Sequence, residues 1–491
     1  MLTVSCCAVA LVVAAMAALN TALPDLARDT GATQSQLTWI VDGYTLSLAC
    51  LLLPAGALGD RYGRRELLMV GLLVFAIGSG LPAILDSPTW IIVGRTIAGV
   101  GAAFVMPATL SLLTAGFPPE RRSRAVGIWA GVAGSGGIAG LLVSGALLEV
   151  WSWHSILIAL AAVATLILIA SLTITSSRDN NTAPLDLPGA ALITVSIGLF
   201  VLGVIEAPLR GWLDPMVLLL VVGGLAAAAV FAVVELRTEY PLLDVRLFRN
   251  RAFGSGSLSL TLQFLATLGL FFIAVQYMQL VLGYTPLQSA LALTPIAIPV
   301  VLMSVIVPLL IPRFGLRFLN AAGMAILGAG ILAMVTLDAH SSYLAVALTF
   351  LVAAFGLGLC TAPATTAIVQ NTPVEKQGVA SAVNDAAREL GSAIGIAVAG
   401  SILAAGYSHH VQPAVNALPP AAQEPVSGSL AAALEVAKIA GPRGPELAEF
   451  AKAAFLDGMN QACIALACIL FVSAAVLAVW APGRKGSTIE S

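Results

Sequence analysis

Six charged side chains stand where the chain is otherwise hydrocarbon. Asp42, Glu206, Asp385 and Glu389, with Arg95 and Arg388, fall within or at the ends of long apolar runs. An ionised group deep in a bilayer costs roughly a few kcal/mol or more, so each needs a reason to be there. A carboxyl group held away from water can trade its charge for a proton and return it, the chemistry of a proton-coupled step. Asp385 and Glu389 are four apart and share one helix face, with Arg388 offset by one position. Asp385 reads as a proton or cation site, or as a capping or interface charge near a helix end. Glu389, one turn deeper, divides the same way. Asp42 reads as a wet interfacial acid or as a coupling site, and Glu206 as structural. Arg95 lies about one turn from the end of its apolar run, where its head group could snorkel to the surface.

Other chemistries find little to work with. His154, His340, His409 and His410 are expected at or outside the outer surface, so no nucleophile–base or metal constellation is apparent and no catalytic residue, metal or cofactor is expected. Cys6, Cys7, Cys50, Cys360, Cys463 and Cys468 lie in apolar runs without a C-x-x-C spacing, which argues against metal or disulfide use. There is no G-x-x-x-x-G-K-[ST] loop for ATP and no basic block for nucleic acid, and the net charge of −2 points to no partner.

The elements that must hold these residues are membrane helices. Only 10% of residues are charged and 59% are hydrophobic, with a mean hydropathy of +0.98, too few charges to cover a soluble domain of this length. Apolar runs read as about fourteen spans, at 4–24, 38–58, 67–85, 91–114, 124–148, 153–174, 187–207, 213–236, 254–282, 288–312, 318–337, 342–366, 379–406 and 459–481. The first begins almost at Met1 without a basic leader or cleavage site and reads as a retained helix. Of the 23 Lys and Arg, most fall on one side, Arg61 to Arg65, Arg121 to Arg124, Arg178, Arg237 to Arg251, Arg313, Arg317, Arg484 and Lys485 among them. Arg28, Arg210, Lys438, Arg443 and Lys452 fall on the other. The bias places the first side, and both termini, in the cytoplasm. Asn180-Asn-Thr182 matches a glycosylation acceptor but lies on that side, so it reads as a loop.

Polar stretches at 175–186 and 237–253 bracket two helices, giving six, an inserted pair, then six more: 1–175, 187–236 and 254–481. The long outer stretch 407–458, with helical patches at Leu430–Ala440 and Glu446–Phe455, is expected to form a small helical cap or a mobile loop. Gly127/Gly131 and Gly136/Gly140 read as close helix packing. Gln263, Phe272, Gln276, Tyr277 and Gln279, with Tyr44 and Trp129, could line a cavity with aromatic and amide groups or pack against core and lipid.

One loop is more specific. Gly56-Ala-Leu-Gly-Asp60-Arg61-Tyr-Gly63-Arg64-Arg65 sets one acid among arginines in a glycine turn. Arg61-Tyr-Gly63-Arg-Arg65 returns as Arg313-Phe-Gly315-Leu-Arg317 at the equivalent place in the later six helices, a faint internal repeat of the kind transporter halves show. The loop resembles the signature of the major facilitator superfamily, and the length, helix count and inserted pair resemble its 14-helix drug:proton antiporter branch. Leu19-Asn20-Thr-Ala22-Leu23-Pro24, Trp39-Ile-Val-Asp42-Gly-Tyr44, Gly94-Arg95 with Gly99, Gly101 and Pro107, Gln279 to Gln288, and Gly378-Val-Ala-Ser381 to Gly391 are similar to stretches of that branch. Two positions depart: Leu141 stands in Gly140-Leu141-Leu-Val-Ser144-Gly145 where proline is expected, and no acid stands near Ala15.

The resemblance implies an all-α bundle of two six-helix halves plus two inserted helices, exporting small amphipathic drugs in exchange for protons by alternating access. It implies a monomer in a bacterial inner membrane, with small molecules, protons and lipid as partners. It gives Gly56, Asp60, Arg61, Gly63, Arg64 and Arg65 a gating role, with Asp60 docking near the helix that begins at Gly378. It gives Arg95 a part in proton relay. The alternatives are an exporter of lipids or endogenous metabolites, a non-transporting membrane sensor or scaffold, and a membrane enzyme.

Overall fold

A computed structural model of the chain describes residues 1–19, 22–32, 34–85, 87–175, 185–373, 376–416 and 418–482. Asn20, Arg178, the Asn180 to Thr182 motif, Arg484 and Lys485 lie outside them. The helices are α1 (Leu2–Ala18), α2 (Leu23–Thr30), α3 (Gln34–Tyr62), α4 (Arg64–Gly80), α5 (Pro88–Gly116), α6 (Pro119–Leu148), α7 (His154–Ser171), α8 (Leu187–Arg210), α9 (Pro215–Arg237), α10 (Arg251–Gln276), α11 (Pro286–Leu293), α12 (Ala297–Ala333), α13 (Tyr343–Gln370), α14 (Gln377–Val415), α15 (Pro420–Gly428), α16 (Leu430–Ile439) and α17 (Gly444–Trp480). Among the described residues there is no strand.

Local chemistry sets several helix ends. Asp214 caps α9 by accepting from the N–H groups of Met216 and Val217, Pro215 opens the helix, and Arg237 sits in its last turn. Asp186 caps α8 through the Gly189 N–H, and Gly211, at φ 96°, follows its end. The two arginine–aromatic–glycine turns share a backbone device. Gly63 has φ 113° and Gly315 φ 77°, a region glycine enters without a side-chain clash. Arg61 stacks on Tyr62 at 5.5 Å and Arg313 on Phe314 at 5.7 Å.

Twelve helical stretches among the described residues are long and apolar enough to cross a membrane. One of them, Leu287–Thr336, is broken at Gly315, and the apolar α1 is shorter, at 17 residues. Fourteen crossings would require counting α1 and dividing that stretch at its glycine.

The core falls into layers. One cluster joins α1, α3, α4, α5, α6 and α7 around Tyr44, Phe75, Trp129 and Trp153. A second joins α10, α12, α13, α14 and α17 around Tyr277, Met324 and Phe350. A third straddles them: Ala49 and Leu53 of α3 meet Ile193, Ile197 and Val201 of α8 and Val379, Ala382 and Val383 of α14. α8 of the inserted pair thus lies against both halves, with α9 packed on α8.

Glycines set the closest approaches. A Cβ on Gly127 or Gly131 would run into Ser304 of α12, and one on Gly136 or Gly140 would meet Val13 or Ala14 of α1. The two pairs therefore face different helices, one across the seam and one within the first half.

The outer stretch is helical, with revised limits. Tyr407 to Val415 continue α14, and α17 begins at Gly444, so the cap reduces to α15 and α16 with their connections. Tyr407 donates to the Val426 carbonyl at 2.8 Å, and Leu430, Ala433, Leu447 and Phe455 bury between cap and bundle. The first helix stops at Ala18 rather than reaching Pro24, and the separate α2 follows it.

Candidate functional site

At one end of the bundle Asp60 bridges the halves. It is 7% exposed at the end of α3. Arg64, one turn on, donates to its Oδ1 from Nε at 3.1 Å and Nη2 at 2.8 Å. The Gly378 N–H lies 2.9 and 2.8 Å from Oδ1 and Oδ2, and the Val379 N–H 3.2 Å from Oδ2. These are free donors of the first turn of α14, where the helix dipole favours a negative charge. Two glycines permit the contact: a Cβ on Gly56 would strike the Gly378 carbonyl and the Ala382 Cβ, and one on Gly378 would strike Gly56 and the Asp60 carboxyl. Gln377 secures the approach from behind, donating to the Thr372 carbonyl at 2.9 Å. In the second half the matching turn has Pro312 where the first has Asp60, and Arg317 instead donates to the Ala481 carbonyl at 2.5 Å, holding the end of α17.

About 10 Å further along α14, at 1.5 Å per residue, Asp385 is fully buried. It is therefore not a cap or a surface charge. Its Oδ1 lies 3.9 Å from Arg388 Nη1 and accepts from Asn384 at 3.2 Å, while its Oδ2 finds no hydrogen bond among the described residues. The Arg388 guanidinium packs over Phe264 at 4.5 Å and Trp129 at 5.5 Å, aromatic faces that favour a cation. Arg388 is the one charged group lining a cavity bounded by Ala130, Gly131 and Gly134 of α6, Ser304 of α12 and Thr361 of α13. Its volume is about 20 Å³, room for a water or two. Beside it Gln263 accepts from Thr361 at 2.7 Å and Cys360 at 3.2 Å. Gln263 Nε2 and Asn384 Oδ1, like Asp385 Oδ2, are buried without a partner among the described residues. Glu389, half-buried one turn on, makes no ion pair there.

Toward the other end, Arg95 departs from expectation. It is 2% exposed and two turns inside α5. Its Nε donates to the Ile40 carbonyl at 3.1 Å and its guanidinium lies 4.2 Å over the Tyr44 ring, so it does not snorkel. Tyr44 in turn donates to the Val12 carbonyl at 2.9 Å, binding α1, α3 and α5 together. Asp42 is half-buried two turns inside α3, and Glu206 pairs with Arg210 at 2.6 Å.

Five of the seven residues that could line a cavity, Tyr44, Trp129, Phe272, Gln276 and Gln279, are not brought together. Tyr44 and Trp129 are sealed in the core, Trp129 by its bond to Thr109 Oγ1 at 3.1 Å. Phe272 is 37% exposed, Gln276 turns back to the Phe272 carbonyl, and Gln279 lies in a π-helical turn, Tyr277–Val281. The residues that do line the cavity are mostly Gly, Ala, Ser and Thr, types that carry no signal in a sequence.

Comparison with known proteins gives these features a setting. Residues 5–396 match the family model described as Major Facilitator Superfamily. The chain is 33% identical over 397 residues to the multidrug resistance protein Stp of Mycobacterium tuberculosis, covering 80% of this chain and 74% of that one. It is 32% identical over 463 residues to the multidrug efflux pump LfrA of Mycolicibacterium smegmatis, covering 93% and 91%. Among solved structures, the human organic anion transporter MFSD10 superposes with a TM-score of 0.62 at 15% identity, covering 97% and 98%.

Proposed function

Because the chain belongs to the major facilitator superfamily, we propose that it is a proton-coupled exporter of small amphipathic drugs or antibiotics. It works by alternating access, as a monomer, in a bacterial inner membrane, with the Asp60 end and both termini in the cytoplasm. The halves 1–175 and 254–481 rock about the seam, and 187–236 moves with it. Relatives named as multidrug efflux and resistance proteins support drug export.

The observation that carries the coupled mechanism is the make-up of α14. One helix holds both the N–H groups that clasp Asp60 and, two turns deeper, a buried acid beside the cavity. Protonation of Asp385 changes its attraction for Arg388, and Arg388 lines the cavity between α6 and α13. A proton and a substrate then bias the same helix, and a rigid helix passes that bias to the clasp.

The test is efflux from proteoliposomes without ATP. A pH gradient imposed across the membrane should drive loss of a cationic dye, and collapsing the gradient should stop it. Efflux indifferent to the gradient would remove the coupling.

A further inference from the structure

A second pair of acids lies outside this machinery, at the Asp60 end of the inserted helices. Glu235, in the last turn of α9, is 2% exposed. Its Oε2 accepts the Leu243 N–H at 3.2 Å, where the chain folds back after the helix. Asp186 caps α8, its Oδ1 accepting the Gly189 N–H at 2.8 Å. Each carboxyl group thus has one oxygen engaged by a backbone donor. The other two, Glu235 Oε1 and Asp186 Oδ2, are buried with no hydrogen-bond partner among the described residues. They converge over one residue, since a Cβ on Gly189 would collide with both.

We propose that Asp186 and Glu235 together bind a single proton between Oδ2 and Oε1, at a site separate from Asp385. With both groups ionised, two like charges face each other away from water, an arrangement that drives one of a pair to take up a proton. One proton turns the contact into an O–H···O⁻ hydrogen bond, among the stronger kinds, and satisfies both orphan oxygens. No step other than protonation is involved. Among the described residues the charged groups around the pair are few. Lys376 lies near Glu235 and donates to the Pro241 carbonyl at 3.5 Å. Arg246 reaches the Leu236 carbonyl at 3.2 Å, and Arg237 is exposed. Lys376 precedes Gln377 and Gly378, the residues that meet Asp60. Occupancy of the site therefore sets the charge beside the start of α14.

The inference stands on this geometry and not on antiport. It is tested by infrared difference spectroscopy of the full chain in lipid, titrated upward from acid pH. The wild type should show a protonated-carboxyl band that is lost as the pH is raised and shifts in heavy water. Glu235→Gln and Asp186→Asn should each lose that band, and proton uptake should fall by one per chain. Asp385→Asn and Glu389→Gln should keep it. Asparagine at 186 still accepts the Gly189 N–H, so this variant tests the site even if Glu235→Gln fails to fold. A band unchanged in Asp186→Asn, or one removed only by Asp385→Asn, overturns the proposal. A chain that showed the band yet transported without regard to a pH gradient would retain the site and lose the antiport reading.

Discussion

At the scale of single residues, Asp60 of α3 meets the first turn of α14, and Asp385 lies buried two turns further along that helix. Asp60→Asn keeps the shape and surrenders the charge that meets the Gly378 and Val379 N–H groups. A hydrogen bond to a charged group is worth about 1.5–3 kcal/mol, so closure at that end should weaken by tenfold or more. We expect transport to fall by at least about that factor, with normal amounts of protein in the membrane. Asp385→Asn should abolish gradient-driven efflux while substrate exchange down its own gradient continues, because asparagine cannot alternate between charge states. Glu389→Gln, one turn on, is the control and should keep substrate-induced proton release, measured with a pH-sensitive dye. Release that survives in Asp385→Asn and vanishes in Glu389→Gln would exchange the two assignments.

The sequence marked Asp385 and Glu389 because a charge in an apolar run stands out, and Asp60 because one acid stands among arginines in a glycine turn. It gave no notice of Glu235, which reads as an ordinary end-of-span charge two residues before Arg237. Its burial depends on the chain returning through Leu243, a tertiary event with no local pattern. Arg95 was visible, but its depth was not: α5 starts at Pro88, earlier than the apolar run, because Trp90 and the polar residues near it can be helical without being hydrophobic.

At the scale of elements, glycine placement decides which helices can close on one another. Gly56 lets the backbones of α3 and α14 touch. Overfilling a packed contact costs about 1–3 kcal/mol. Gly56→Ala should therefore shift the population toward forms separated at this end, without loss of the fold. Hydrogen exchange of the amides at 378 and 379 should speed up accordingly, by about tenfold if the cost is near 1.4 kcal/mol. Unchanged protection would show that the close approach does not hold the clasp.

Helix limits were legible where hydropathy changes sharply and illegible where amphipathic segments pack on protein. Tyr407 to Val415 carry two histidines and a glutamine and read as a loop. They are helical because Tyr407, Val411 and Val415 bury against the cap. The turns at Gly63 and Gly315 were readable as a repeat from their shared arginine–aromatic–glycine spacing, and both glycines take a positive φ.

At the scale of the whole molecule, the seam between the halves is closed at the Asp60 end and narrow in its middle, with α8 laid across it. All-helical membrane architecture was evident from the composition and from the length of the apolar runs. The cavity was not, because close-packed glycine, alanine and serine look alike whether they line a cavity or a lipid face.

The size of that cavity has a kinetic consequence. A space fit for a water or two cannot admit a drug-sized molecule, so this arrangement is one that a substrate must wait for the protein to leave. The affinity an experiment measures is then the intrinsic affinity scaled by the fraction of time the halves are parted. Loosening the clasp raises that fraction. Gly56→Ala should bind a dye more tightly than the wild type in an equilibrium titration and yet carry it across the membrane more slowly. A transporter selected for turnover would then sit well short of its tightest possible binding, and screens that rank variants by affinity would favour the wrong ones.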